Sequence, residues 1–287
     1  MTKLTAQQLV QNRIDLVSLP DIALKLNKLC DDTNSTAQDI ADVISKDATL
    51  TTHLLQIVNS PFYNFPQQID TITMAITIVG TAQLRDLAMA TLVIQKFNKI
   101  PTNLISPEKF WRHNIACATA ARTIVMELGI QQSERVYIAG LLHDIGKLLM
   151  YLAHPELSFE ILELIKSNPA LNIIELEEVA FGYSHAELGA ALLSEWGLPD
   201  SLVEPVKFHH LPEKATRYAT EASVLHLANV VANKIEPLLP NMGALSLDAK
   251  VWAILNSTSD HLDDITAVTK SLYNETIGMF YPESKAA

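Results

Sequence analysis

The stretch Gly140-Leu141-Leu142-His143-Asp144-Ile145-Gly146-Lys147-Leu148-Leu149 decides how this chain is read. Adjacent His143 and Asp144 put an imidazole nitrogen and a carboxylate oxygen at one point of the backbone. Both groups are ligands for a divalent ion such as Zn, Mn, Fe or Co. The dipeptide alone is a weak signal, because most His-Asp pairs are ordinary surface residues. Its flanks change the odds: they are apolar on both sides, so the pair is expected on a largely buried segment. A buried charge needs a partner, and a metal ion is one such partner. The remaining histidines therefore carry the argument.

Working outward, nearly every segment shows helical spacing. Ser133 is expected to start the helix that delivers His143-Asp144 near its end, before Gly146. Ser106-Pro107 reads as a cap and first helical position, opening a helix that carries Trp111, His113, Ala116 and Ala120 and ends at Gly129. Ser184-His185-Ala186-Glu187 is a capping box, with the helix ending at Gly197. A shorter helix runs from Asp200 to His210, with Pro205 expected to kink it, and another from Ala219 to Asn233. Towards the N-terminus, a Ser35-x-x-Gln38 box predicts a helix start near Thr36, Asp47 a second start, and Asn59-Ser60-Pro61 a stop. Thr71 opens a helix that ends at Gly80, and residues 82–97 form a long one. The segment Lys99 to Pro107 holds two prolines and is the best boundary candidate. No useful strand alternation appears. The expectation is an all-α fold, with an N-terminal helical lobe (1–105) packed on a second helical lobe (106–287) that includes a C-terminal extension.

Composition sets outer limits. With 287 residues the chain is near the size at which one core tends to split into two, and 48% hydrophobic content is ample for packing. The 21 basic and 32 acidic side chains give a formal net charge of −11, which argues against nucleic-acid binding and against an anionic membrane surface. Cys30 and Cys117 lie in apolar stretches and read as buried reduced thiols. Met1-Thr2-Lys3 leads into a polar segment rather than the apolar core of a signal peptide, and no apolar run approaches the ~20 residues of a membrane helix. A cytoplasmic protein with no membrane association is expected.

His113, His185, His209, His210 and His226 each read, taken singly, as a hydrogen-bonded structural histidine. Taken together on successive helices, they suggest a converging cluster. The order His113, His143-Asp144, His185, His209-His210 resembles the HD superfamily of metal-dependent phosphohydrolases. In that family the first His, the His-Asp pair and a late Asp bind metal, and members with more metals add histidines between them. In its HD-GYP branch a Lys follows the pair, where Lys147 stands here. Metals so held activate a water and polarise a phosphoryl group, and a nearby Lys neutralises phosphate charge.

The N-terminal half narrows the resemblance. Leu19-Pro20, Ile44-Ser45-Lys46-Asp47-Ala48-Thr49-Leu50 and Leu54 through Tyr63 resemble the HDOD (HD-related output domain) family. So do Ile69, Ala75-Ile76, Gly80 and Leu84-Arg85-Asp86-Leu87, then Gly140 to Lys147, then Ser184 to Gly189, Trp196-Gly197-Leu198-Pro199 and His209-His210-Leu211-Pro212. The likeness runs from about Leu16 to Asn233. It implies a bacterial signalling or regulatory protein, a non-catalytic or weakly catalytic output module that binds a protein partner. The alternative it implies is a phosphohydrolase acting on a nucleotide or cyclic dinucleotide, with Asp144 and Lys147 as catalytic residues. It also implies metal ligands at His113, His143, Asp144, His185, His209 and His210, for one or two ions of Fe, Mn, Zn or Ni. Two departures stand out. The late Asp is Asn229, a poorer ligand with no charge, though its carbonyl can still coordinate. The glycine-tyrosine-proline signature of the HD-GYP branch is absent, Leu211-Pro212-Glu213 standing there instead. Outside the resemblance, Lys147 reads first as a snorkelling surface lysine, Arg85-Asp86 as a local ion pair and Trp196 as a core anchor.

Overall fold

The computed structural model describes residues 4–13, 19–32, 34–60, 63, 65–98, 104–130, 133–239, 247 and 249–280. Among them there is no strand, and the fold is all-α as expected. In chain order the helices are α1 (Ala6–Asn12), α2 (Asp21–Asp31), α3 (Ala37–Ile44), α4 (Ala48–Val58), α5 (Ile72–Val79) and α6 (Thr81–Asn98). They continue as α7 (Pro107–Glu127), α8 (Ser133–Leu142), α9 (Ile145–Ala153), α10 (Pro155–Ser167), α11 (Ile173–Phe181) and α12 (His185–Glu195). The series closes with α13 (Asp200–Phe208), α14 (Ala219–Ile235), α15 (Ala249–Ile254) and α16 (Leu262–Phe280).

The chain divides into two compact units. One comprises residues 19–100 and 271–287, the other residues 1–18 and 101–270. Residues 99–103, most of the proposed boundary segment, lie outside the described residues.

In the first of these units, α2 through α6 surround a core of Leu26, Ile40, Ile44, Leu50, Leu54 and Leu84, all buried. Local chemistry sets the ends of these helices. Asp47 caps α4 by accepting from the Leu50 amide at 2.9 Å. Thr71 caps α5 in the same way, and Gly80 ends it at φ 99°, which a Cβ would disfavour. The α3 cap differs from expectation. Thr36 and Asp39 form the capping box, one residue along from the Ser35/Gln38 pair. Thr36 wins because its hydroxyl and the Asp39 carboxylate satisfy both orphan amides reciprocally. Asn59 ends α4 and clamps the chain ten residues on: its Nδ2 donates to Ile69 O at 2.6 Å and its Oδ1 accepts from Ile69 N at 2.7 Å. Arg85 and Asp86 form the expected ion pair at 2.8 Å.

The second unit is built on α7, a long helix packed against α8 and α14. Helices α9, α12 and α13 complete the scaffold, with α12 against α1, α9 and α13. The stretch Arg135–Ala153 is apolar and long enough to cross a membrane, contrary to the expectation that no run approaches that length. Its best window is 89% buried inside the protein, which makes it the central core segment. Trp196 is buried at 4% exposure, as a core anchor should be. Cys117 is buried, Cys30 is partly exposed, and neither forms a disulfide. Pro205 is accommodated inside α13.

Candidate metal centre

His143 and Asp144 sit in the turn between α8 and α9, so the apolar run breaks where the chemistry lies. Two glycines make that break compact. A Cβ on Gly140 would come within 2.5 Å of Ala118 Cα, so α8 can approach α7 only with glycine there. A Cβ on Gly146 would strike the His185 carbonyl oxygen and lie 2.5 Å from Gly189 N, so α9 and α12 touch backbone to backbone. These approaches bring His113 on α7 and His185 on α12 to the His-Asp turn. Asp is a favoured helix cap, yet the Asp144 side chain makes no capping bond to α9. Its carboxylate is turned to the cluster instead.

Asp144 is the hub. Its Oδ2 accepts from Lys147 Nζ at 2.7 Å and lies 3.5 Å from His143 Nε2 and 3.8 Å from His113 Nε2. Its Oδ1 lies 3.2 Å from His185 Nε2 and 3.9 Å from His209 Nε2. His210 Nε2 is 3.1 Å from His185 Nε2. Of the seven expected ligands, six therefore converge. Asn229, the seventh, is buried, and its Oδ1 accepts from Asn233 Nδ2 at 2.8 Å. Lys147 is not the surface residue expected: it is 4% exposed, because the Asp144 carboxylate draws the ammonium inward. His226 is structural, its Nδ1 donating to His209 O at 2.8 Å. His53 pairs with Gln95 and His154 with the Tyr183 hydroxyl, outside the cluster.

A second layer orients the rings. His113 Nδ1 donates to Glu236 O at 2.8 Å, His143 Nδ1 to Gly140 O at 2.9 Å and His209 Nδ1 to Val206 O at 2.7 Å. His185 Nδ1 donates to the Glu177 carboxylate at 2.7 Å, and the same carboxylate accepts from the His185 backbone amide at 2.8 Å. A carbonyl or carboxylate can only accept, so each of these Nδ1 atoms carries the proton. Each of these four Nε2 atoms then presents a lone pair to the cluster, the tautomer that metal ligation requires.

Glu177 is not singled out by the sequence, where it stands beside Glu175 and Glu178. A signal was available. Glu177 lies four residues from Ile173 and four from Phe181, on one stripe of α11, and all three are buried.

Electrostatics follow from this packing. Burial alone would raise the Asp144 carboxyl, but His143, Lys147 and His185 outweigh it and hold the group well below the usual carboxylate range. Burial pushes the His143 imidazole down to about 4 and outweighs the attraction of Asp144. His209 and His210 are pushed well below the ordinary value by burial and then by neighbouring imidazoles. His185 goes the other way: burial opposes its charge, but Glu177 and Asp144 raise it.

The donor set fits a divalent transition metal. His143 Nε2, Asp144 Oδ1 and His209 Nε2 are buried with no hydrogen-bond partner, a costly arrangement unless a cation is meant to satisfy them. Ligand atoms around a four-coordinate ion at ~2.0–2.1 Å stand about 3.3 Å apart, the scale of the Oδ1–His185 and His185–His210 separations.

Residues 16–212 match the HDOD domain family, and the chain belongs to that family. An uncharacterized protein of Treponema pallidum (strain Nichols) is 28% identical over 247 residues, 83% of this chain. The chain spans 46% of that relative's length. Among solved structures, a candidate phosphohydrolase of Shewanella amazonensis SB2B superposes with TM-score 0.73 at 23% identity, covering 94% of this chain and 96% of that one. An HDOD domain protein of unknown function from Geobacter sulfurreducens gives TM-score 0.71 at 22% identity, covering 96% and 97%. These two likenesses establish a shared fold.

Proposed function

We propose that this chain is a cytoplasmic regulatory module of the HDOD family, which binds a protein partner and holds a divalent metal without turning over substrate. Family membership supports the regulatory reading. The observation that carries the non-catalytic reading is burial: His143, Asp144, His185 and His209 are 0% exposed and His113 is 1% exposed. Hydrolysis at a metal needs a phosphoryl oxygen and a water beside the ion, and of the six converging residues only His210 is partly exposed, which leaves substrate a narrow approach. Two further features reduce the charge a hydrolytic centre would use. Asn229 stands where a carboxylate is expected, and the Asp144 carboxylate is engaged by Lys147.

A second reading has support from the same cluster. Six candidate ligands converge, four of them histidines in the ring tautomer that ligation requires, and the Shewanella relative of the same fold is described as a candidate phosphohydrolase. A metal bound there would supply an activated water and a polarised phosphoryl group. In that case the chain's own contribution would be the Lys147 ammonium, held where it could meet phosphate charge.

The two readings separate in one assay. Protein loaded in turn with Mn, Fe, Zn and Ni is offered bis(p-nitrophenyl) phosphate and cyclic dinucleotides, beside Asp144→Ala. The expected result is no turnover above the variant. Turnover that disappears in Asp144→Ala would overturn the regulatory reading in favour of the enzyme.

A further inference from the structure

The two faces of the Asp144 carboxylate differ, and the difference bears on how many ions the centre takes. On the Oδ2 face stand His113 and His143, which with Asp144 could hold one ion. On the Oδ1 face stand His185, His209 and His210, which with Asp144 could hold another. The Oδ2 face already has a cation: Lys147 Nζ is 2.7 Å away and the side chain is buried. Among the described residues, no lysine or arginine is paired with Oδ1. Oδ1 itself and His209 Nε2 are buried and without a hydrogen-bond partner.

We propose that this centre holds a single divalent ion, bound by Asp144 Oδ1 and the Nε2 atoms of His185, His209 and His210, and that the Lys147 ammonium occupies the place of a second. The inference rests on the metal-binding reading above and adds number and position to it.

The charges agree with this arrangement. Near His113 the chain supplies Asn229, a neutral amide whose Oδ1 is already engaged by Asn233, and among the described residues Asp144 is the one carboxylate grouped with His113 and His143. A divalent ion there would face the Lys147 ammonium at close range with one shared carboxylate between them, an unfavourable like-charge contact in a buried site. On the Oδ1 face, Glu177 adds a second negative charge behind His185, bonded to its Nδ1 at 2.7 Å, which raises the donor strength of Nε2. The negative charge of this site is thus concentrated on the side that lacks a built-in cation.

The test is metal stoichiometry. Metal-free full-length protein is titrated with Co(II), followed by its visible absorption, and the cobalt retained after gel filtration is counted by elemental analysis. The expected result is one cobalt per chain in the wild type, two in Lys147→Met and none in Asp144→Ala. Two ions in the wild type would overturn the assignment of Lys147 while leaving the metal-binding reading intact. One ion in both wild type and Lys147→Met would also overturn it. No ion in the wild type would overturn the metal-binding reading itself. If Lys147→Met fails to fold, Lys147→Gln replaces it, and the wild-type count decides between one ion and two without any variant.

Discussion

Replacing Gly146 by alanine tests whether helix proximity builds the centre. The new Cβ would strike the His185 carbonyl oxygen and lie 2.5 Å from Gly189 N and 3.0 Å from His185 C. All three are backbone atoms of α12 or its first residue, so no rotamer change relieves the clash. Restoring ordinary contact requires α9 and α12 to part by roughly 1 Å, on the scale of a van der Waals radius difference. Overpacking of this kind costs about 1–3 kcal/mol, and backbone-on-backbone contact puts it towards the upper end. The gain in helix propensity from Gly to Ala offsets up to about 1 kcal/mol. A net loss of about 2 kcal/mol follows, a fall in Tm of roughly 4–8 °C for a unit of this size. The same displacement carries His185 away from Asp144, whose Oδ1 it now meets at 3.2 Å. Retained cobalt should therefore fall along with Tm. Gly129→Ala is the control: its φ is +65° and nothing lies within 4 Å of a Cβ there, so backbone strain alone would cost about 1–2 kcal/mol with cobalt binding unchanged. The reasoning is refuted if Gly146→Ala melts with the wild type and retains its full cobalt.

Three further outcomes are expected. Metal-free protein should lose stability as pH falls from about 6.5 towards 4. The unfolded chain takes up protons on its imidazoles through that window while folded His143, His209 and His210 do not, so the unfolded state binds more protons. His143 alone, shifted from 6.5 to about 4, contributes about 3 kcal/mol to that loss at 1.36 kcal/mol per pH unit. His185, raised, contributes stability that is complete below about 6.5 and lost as pH rises through its folded value, so it does not offset this loss; urea midpoints that stay flat or climb between pH 6.5 and 4 would contradict the reasoning. Glu177→Ala leaves the His185 Nδ1 and backbone amide without their acceptor and should cost about 3–5 kcal/mol in chemical denaturation. Glu177→Gln, which keeps one acceptor, should recover part of the stability while leaving cobalt affinity weakened. Chelator added to metal-loaded wild type should lower Tm, and should leave Asp144→Ala unmoved; equal responses would place the stabilising metal elsewhere.

Much of this protein is legible from local pattern alone. Caps such as Asp47, Thr71, Ser106 and Ser184 mark helix starts because a side-chain oxygen next to orphan amides is a local event, and all four are found capping. Six of the candidate ligands could be named from residue type, order and family resemblance, since imidazole and carboxylate chemistry is carried by the residue itself. What the sequence could not decide was set by distances between helices. Lys147 looked exposed because its neighbours in sequence say nothing of the Asp144 carboxylate that holds it inside at 2.7 Å. Glu177 does not stand out in the sequence because its partner, His185, lies on the next helix across a turn. The inequality of the two Asp144 faces, one with an ammonium and one with a bare oxygen, appears only once α7, α9, α12 and α13 are brought together. Hydrogen-bonded caps are fixed by neighbours three residues apart; charge balance in a buried site is fixed by whatever the packing of distant helices encloses.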